Sequence, residues 1–326
     1  MKLATYKDGS RDGQLIVVSR DLASAHYATG IASTLQQVLD DWNFIAPQLQ
    51  DLYVALNQGR ARHAFPFEAA RCMAPLPRAY RWVVAAAYRN HVELLQGKAA
   101  ATTALREAAA DAFLGPCDDL VLFDEASELD FGAGLAVVTG DLPARCSAEQ
   151  GLDGIRLLLL ANDWCLRALL PRGEDDSGGP PQAHPATAFG PVAVTLDELG
   201  DAWERGRPRL TLQASWNGRK VGMCDAGEMD CHFGQLLALL SRSRGIAAGS
   251  VVGGGVVANP AVSTGDRREW PRGAGCLAQR RAIEREQGSQ APAAYLGYGD
   301  TVRIEVRGRD GHSLFGAIEQ TVLPPE

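Results

Sequence analysis

Proton transfer at neutral pH is the first chemistry these residues offer. His91 closes Tyr88-Arg-Asn-His91, and His184 precedes Pro185-Ala-Thr-Ala-Phe189. Imidazole is the side chain that most readily takes and returns a proton near neutrality. Asp163, in Asn162-Asp163-Trp164, adds a carboxylate, and Arg167 follows it by four residues. On a helix that spacing makes an ion pair that needs no further function. His91, His184 and Asp163 together have the composition of a two-histidine, one-carboxylate metal site, although sequence alone leaves their separation open. Cys224, Cys231 and His232 resemble a metal-binding fragment by residue type. The run Gly253-Gly-Gly255 lacks the Lys-Ser/Thr pair and the helix of a phosphate loop. Gln279 opens a helical stretch and reads equally well as a polar residue at a helix start.

The chain that must position these groups has 326 residues, enough for one large core or for two domains. Its 46% hydrophobic and 22% charged content is that of a globular protein, which excludes a disordered chain. The net charge is −7 and no Lys/Arg stripe exists, so nucleic acid is not an expected partner. No apolar run approaches the ~20 residues of a membrane span, and no signal segment follows Met1. The seven cysteines are odd in number and form no CxxC pair, as in reduced cytoplasmic proteins. A cytoplasmic protein without membrane contact is therefore expected.

Residues 15–19 read as a strand, and Thr34-Leu-Gln-Gln37 as a capping box before helical spacing at 35–42 and 49–56. Prolines 66, 75 and 77 then mark a boundary, giving a small α+β domain over 1–75 and a larger one over 76–326. In the second part Asn217-Gly218 and Asp310-Gly311 predict hairpins. Residues 135–138 read as a strand, and helices are expected at 105–113, 148–160, 233–243 and 277–287. The segment 172–182, rich in Gly, Pro and acidic residues, offers no apolar anchor and reads as a mobile loop leading into His184. The fold class is α/β mixed and strand-rich.

Short words along the chain narrow this further. They are residues 2–20 (KLATYKDGSRDGQLIVVSR), 72–80 (CMAPLPRAY), Tyr88-Arg-Asn-His91, Phe113-Leu-Gly-Pro-Cys-Asp-Asp119, Asp130-Phe131, Val137-Val-Thr-Gly-Asp141, Asn162-Asp163, Pro185-Ala-Thr-Ala-Phe189, His232-Phe-Gly-Gln235 and Phe315-Gly-Ala-Ile318. In this order they resemble bacterial proteins of the fumarylacetoacetate hydrolase family over nearly the whole length. The resemblance implies a mixed β-sandwich roll, a homodimer, and C–C bond chemistry on oxo or diketo acids with Mg²⁺ or Mn²⁺. It also implies a cation held by a Glu-x-Glu and by an Asp at a helix end. A His oriented by a Glu, a Lys and a Thr complete the site. His232 belongs to a scaffold word, so the cysteine–histidine group reads as core packing.

The site words depart from that pattern while the scaffold words keep it. Gly132 and Gly134 stand at the Glu-x-Glu, Gln279 at the orienting Glu, His184 at the Lys and Val256 at the Thr. Only Asp163 and His91 remain. The two glycines mark either a close backbone approach or room for a bulkier ligand. Gln279 is expected to hold His91 by accepting from its ring N–H. The resulting expectation is a metal-independent enzyme, without cofactor, on an oxo-acid, diketo or enol-like molecule, with a role in biosynthesis. His91, His184 and Gln279 would be catalytic, with Tyr88, Asp163, Arg167, Gly132, Gly134, Gly255 and Val256 lining the substrate. The alternatives are an inactive binding or partner protein on the same fold, and an ordinary Mg²⁺ hydrolase with replaced ligands.

Overall fold

A computed structural model describes residues 1–97, 103–171, 179–265, 267–308 and 311–326. Two sheets carry most of the chain. From edge to edge the larger one runs Phe65–Pro66, Ser24–Tyr27, Gln14–Val18, Lys2–Tyr6, Ala193–Val194, Ile155–Asp163, Ala133–Thr139, Ser250–Val256, Arg81–Ala85 and Leu105–Ala108. Thr187–Phe189 also pairs with Ile155–Asp163. The smaller sheet runs Arg219–Asp225, Thr211–Trp216, Thr301–Arg307, Ser313–Leu323 and Leu120–Val121. The helices are α1 (Leu35–Asp40), α2 (Trp42–Asn57), α3 (Arg89–Gln96), α4 (Ala148–Asp153), α5 (Phe233–Leu240) and α6 (Leu277–Glu286).

Side-chain alternation along the strands sorts the apolar residues into two cores. Leu3, Val17, Trp82, Val138, Leu157 and Leu159 face α1 and α2, packing with Leu35, Leu39, Leu49 and Tyr53. Ala4, Ile16, Val83, Val137, Leu158 and Leu160 face the smaller sheet, packing with Leu212, Ile304 and Phe315. The larger sheet is thus covered on both faces. Its N-terminal strands are continuous with the rest, because Lys2 and Leu3 pair with Val194 and Ala193.

Local signals hold where turn chemistry is strong. Asn217 (φ 50°) and Gly218 (φ 71°) both take the left-handed conformation that a two-residue hairpin requires. Ser147 and Gln150 close a full capping box on α4. Thr34 accepts from the Gln37 N–H, but the Gln37 side chain reaches back to Ser33. The second hairpin is also present, although Asp310 in its turn lies outside the described residues, as does 172–178 of the segment expected to be a mobile loop.

Two expected helices are strands. The stretch 105–113 forms the edge strand Leu105–Ala108, paired antiparallel with Arg81–Ala85. Sheet pairing overrides the helix propensity of its Leu, Arg, Glu and Ala. The expected helix 148–160 breaks at Gly154: α4 ends, and Ile155–Asp163 becomes a central strand. A run of leucines buried on both faces has no period to separate strand from helix. Asp163 therefore ends a strand, not a helix.

One buried carboxylate, on the short strand Leu129–Asp130 that pairs with Cys165–Leu166, caps α6. Asp130 is fully buried; Oδ1 accepts from the Leu277 N–H at 2.7 Å and Oδ2 from the Ala278 N–H at 2.9 Å. The Arg167 guanidinium pairs with the same carboxylate at 2.9 Å. A helix N-terminus attracts negative charge, and Arg167 neutralises it. Asp130→Ala leaves the Arg167 charge buried beside an uncapped helix. The expected loss is about 3–5 kcal/mol of unfolding free energy, read by urea denaturation; a loss under about 1 kcal/mol would contradict this joint.

Candidate active site

Two polar clusters hang from one short stretch of backbone, Gly132-Ala133. The Asp163 N–H donates to the Gly132 carbonyl at 3.0 Å, which fixes the first cluster. The Ala133 N–H donates to Gly275 O, and the Val257 N–H to Ala133 O, both at 3.0 Å, which fixes the second.

The first cluster is built on Asp163. Its Oδ1 accepts from the Thr187 hydroxyl at 2.8 Å. Its Oδ2 accepts from Arg106 Nη2 at 2.5 Å, and His184 Nδ1 stands 3.3 Å from the same oxygen. Thr187 Oγ in turn accepts from the Trp82 indole N–H at 3.1 Å, so its single proton is directed at Asp163. Phe113 and Phe189 pack edge-on against Trp82 and hold it in place. Burial works to raise the Asp163 pKa. The charges of His184 and Arg106 and the hydrogen bonds from His184 and Thr187 outweigh it, and hold the carboxyl below its ordinary value.

The second cluster pairs His91, the third residue of α3, with Gln279, the third residue of α6. Both side chains are buried. Gln279 Nε2 lies 2.6 Å from His91 Nδ1 and 3.5 Å from the Val257 carbonyl, while its Oε1 accepts from the Gly275 N–H at 2.8 Å. The expectation that Gln279 accepts from the ring is therefore reversed: its oxygen is already taken by a backbone donor, and its amide nitrogen faces the imidazole.

The two glycines mark close approach, not space. A Cβ on Gly132 would stand 2.6 Å from Asp163 O, and one on Gly134 2.5 Å from Gly255 O. Gly255 itself has φ +83°, and a Cβ there would meet Ala85 O at 2.3 Å. Backbone thus fills the positions where carboxylates would begin, and Asp163 is already neutralised by Arg106. Among the described residues no group of three or more His, Cys, Asp or Glu side chains is placed to hold a metal ion. A resident Mg²⁺ or Mn²⁺ needs several oxygen ligands, and these residues do not fit one.

The remaining candidates fall on either side of this line. Arg167 pairs with Asp130 and touches Cys276 Sγ at 3.6 Å, so the expected Asp163–Arg167 pair does not form. The Tyr88 hydroxyl donates to Ala226 O at 2.8 Å, inside the core. Val256 packs with Cys276 and Ala278 in a small apolar cluster. Cys224 is buried, and among the described residues the Cys224–His232 group forms no set of three or more ligands placed to hold a metal ion. Arg106 was not among the sequence candidates. Its stretch reads as helix, and an arginine in an alanine-rich segment carries no signal that it turns inward. Thr187 lay within a quoted word without a role.

Residues 1–78 match the family described as fumarylacetoacetase N-terminal domain 2, and residues 81–323 match fumarylacetoacetate hydrolase C-terminal. No curated protein matches the chain. Among solved structures, a fumarylacetoacetate hydrolase from Exiguobacterium antarcticum shares the fold at 18% identity and TM-score 0.69, covering 100% of both chains. The maleylpyruvate hydrolase of Sphingobium sp. SYK-6, with manganese and pyruvate bound, gives 15% identity and TM-score 0.65, again over 100% of each chain. A 5-carboxymethyl-2-hydroxymuconate delta-isomerase from Mycobacterium smegmatis gives 16% and 0.61 over the same full coverage.

The electrostatics of Asp163 set a pH signature. Its folded pKa lies below the unfolded value of ~3.9, so its contribution to stability is complete above that value and is lost as pH falls toward the folded one. Urea unfolding of the wild type should therefore weaken on acidification below about pH 4. Asp163→Asn should be less stable at neutral pH and show a shallower acid limb. Parallel limbs in the two proteins would contradict the assignment.

Proposed function

We propose that this chain, which belongs to the fumarylacetoacetate hydrolase family, is an enzyme of small oxo acids, diketo acids or enols that works without a divalent cation. The observation that carries the reading is His184. Its side chain is 4% exposed; Nδ1 faces Asp163 Oδ2 at 3.3 Å, and among the described residues Nε2 has no hydrogen-bond partner. A buried polar atom without a partner costs about 1–3 kcal/mol, and a bound ligand removes that cost. Arg106 lies on the same carboxylate, so a ligand oxygen meeting His184 also enters the field of a guanidinium. Directed N–H groups in a dry site favour an oxygen on which negative charge develops.

Oxo acids and enols develop such an oxygen. When a C–H or C–C bond beside a carbonyl breaks, its electron pair moves onto the carbonyl oxygen, and the proton or carbon fragment leaves. Isomerisation, cleavage and condensation share this step. The relatives named for maleylpyruvate hydrolysis and for hydroxymuconate isomerisation support the substrate class. The filled glycine positions and the Arg106–Asp163 pair support metal independence. His91 is the acid–base group of this reading, and Gln279 orients it. The reading includes a cytoplasmic homodimer, in line with an odd number of cysteines that form no CxxC pair and with what the family resemblance implies. A non-catalytic binding protein is the second reading, favoured by the commitment of Tyr88 and Arg167 to structural bonds.

The test is proton–deuterium exchange or conversion of pyruvate, oxaloacetate and acylpyruvates in D₂O, followed by NMR. Activity on at least one should survive EDTA and fall by ~10²–10⁴ in His91→Ala. It should fall less in His184→Ala, which removes one oxygen contact. Activity that appears only on adding Mn²⁺ would overturn metal independence. Binding of these acids without any turnover would favour the second reading.

A further inference from the structure

We infer that Gln279 fixes His91 as the neutral tautomer with hydrogen on Nε2, making it a hydrogen-bond donor to a substrate oxygen instead of a base toward water. The inference deepens the reading above and rests on it for the identity of the ligand; the tautomer itself rests on geometry alone.

The argument begins at two backbone groups whose roles cannot change. The Gly275 N–H can only donate, so the Gln279 atom 2.8 Å from it is the oxygen. The Val257 carbonyl can only accept, so the atom turned to it is the amide nitrogen. Neither group is able to swing away. The Gly275 carbonyl accepts from Ala133 and the Val257 N–H donates to Ala133, so the central strand holds both. Flipping the amide would set donor against donor and acceptor against acceptor. The NH₂ therefore points at His91 Nδ1 over 2.6 Å, and Nδ1 accepts through its lone pair. In a neutral imidazole the single hydrogen is then on Nε2.

A carboxylate at position 279 would do the reverse. It would accept from Nδ1–H, leave the lone pair on Nε2, and stabilise the imidazolium that forms when Nε2 takes a proton. The amide supplies neither the acceptor nor the charge. A neutral imidazole N–H still polarises a carbonyl and holds the oxygen of an enolate. His91 is thus suited to hold the carbonyl or enolate oxygen and, as a general acid, to pass its Nε2 proton to it, and is unsuited to activating a water for hydrolysis. Gln279 is the positioning residue.

NMR of the intact protein tests this without substrate, so its outcome is independent of the exchange assay. With ¹⁵N-histidine labelling, the His91 signals are assigned by their loss in His91→Gln and read under conditions where the ring is neutral. The wild type should show a protonated Nε2 and a bare Nδ1, and Gln279→Glu should exchange the two. A protonated Nδ1 in the wild type, or an unchanged pattern in a folded Gln279→Glu, overturns the inference. Should Gln279→Glu not fold, uniform ¹⁵N labelling of the wild type decides. A coupling across the hydrogen bond between the Gln279 amide nitrogen and His91 Nδ1 is expected, and its absence overturns the inference.

Discussion

The peptide unit at Gly132-Ala133 is the constraint on which the rest depends. Three neighbouring segments close on it: Asp163 from the adjacent strand, Gly275 by a hydrogen bond, and Val256-Val257, of which Val257 hydrogen-bonds and the Val256 Cγ2 would stand 3.2 Å from a Cβ on Gly132. Such approach is possible only without a side chain at 132. Gly134 repeats the arrangement against Gly255. What the site gives up in ligands at these positions it regains as rigidity, because both polar clusters are referenced to the same two residues, Gly132 and Ala133.

Two buried carboxylates sit a short distance apart in sequence pairing, since Asp130 and Cys165 are register partners and Asp163 is two residues away. They are stabilised differently. Asp130 is held by two backbone N–H groups and Arg167, all parts of the scaffold. Asp163 is held by side chains alone: Arg106, His184 and Thr187. Side chains rearrange around a ligand far more readily than a helix terminus does. The first acid therefore belongs to the fold, and the second to the candidate site.

Much of the fold was legible because its words are local. The Asn217-Gly218 hairpin and the Ser147 capping box rest on turn and cap chemistry that depends on neighbours in sequence. The strand Ile155–Asp163 was hidden because a Leu-rich run buried on both faces carries no periodicity. At the site, the types of His91, His184, Gln279 and Asp163 were readable, but their partners were not. Arg106 meets Asp163 across 57 positions, and the direction of the Gln279 amide depends on backbone groups of Gly275 and Val257. The contacts of Arg106 with Asp163 and of Gln279 with Val257 join segments far apart in sequence, which no spacing encodes.

The sheet order also bears on how the chain acquires its structure. The strand Lys2–Tyr6 lies between Gln14–Val18 and Ala193–Val194, so one of its neighbours is local and the other is 190–192 positions away by register, Lys2 with Val194 and Leu3 with Ala193. Closing so long a loop precedes any gain from the pairing, and such topologies fold slowly. During synthesis the first four strands and α1–α2 can assemble early, but one sheet edge stays open until residue 194 has left the ribosome. An open edge is a template for unwanted strand pairing. The nascent chain thus spends more than half its synthesis with an unprotected strand, and the yield of folded protein becomes a question of translation speed and chaperone access.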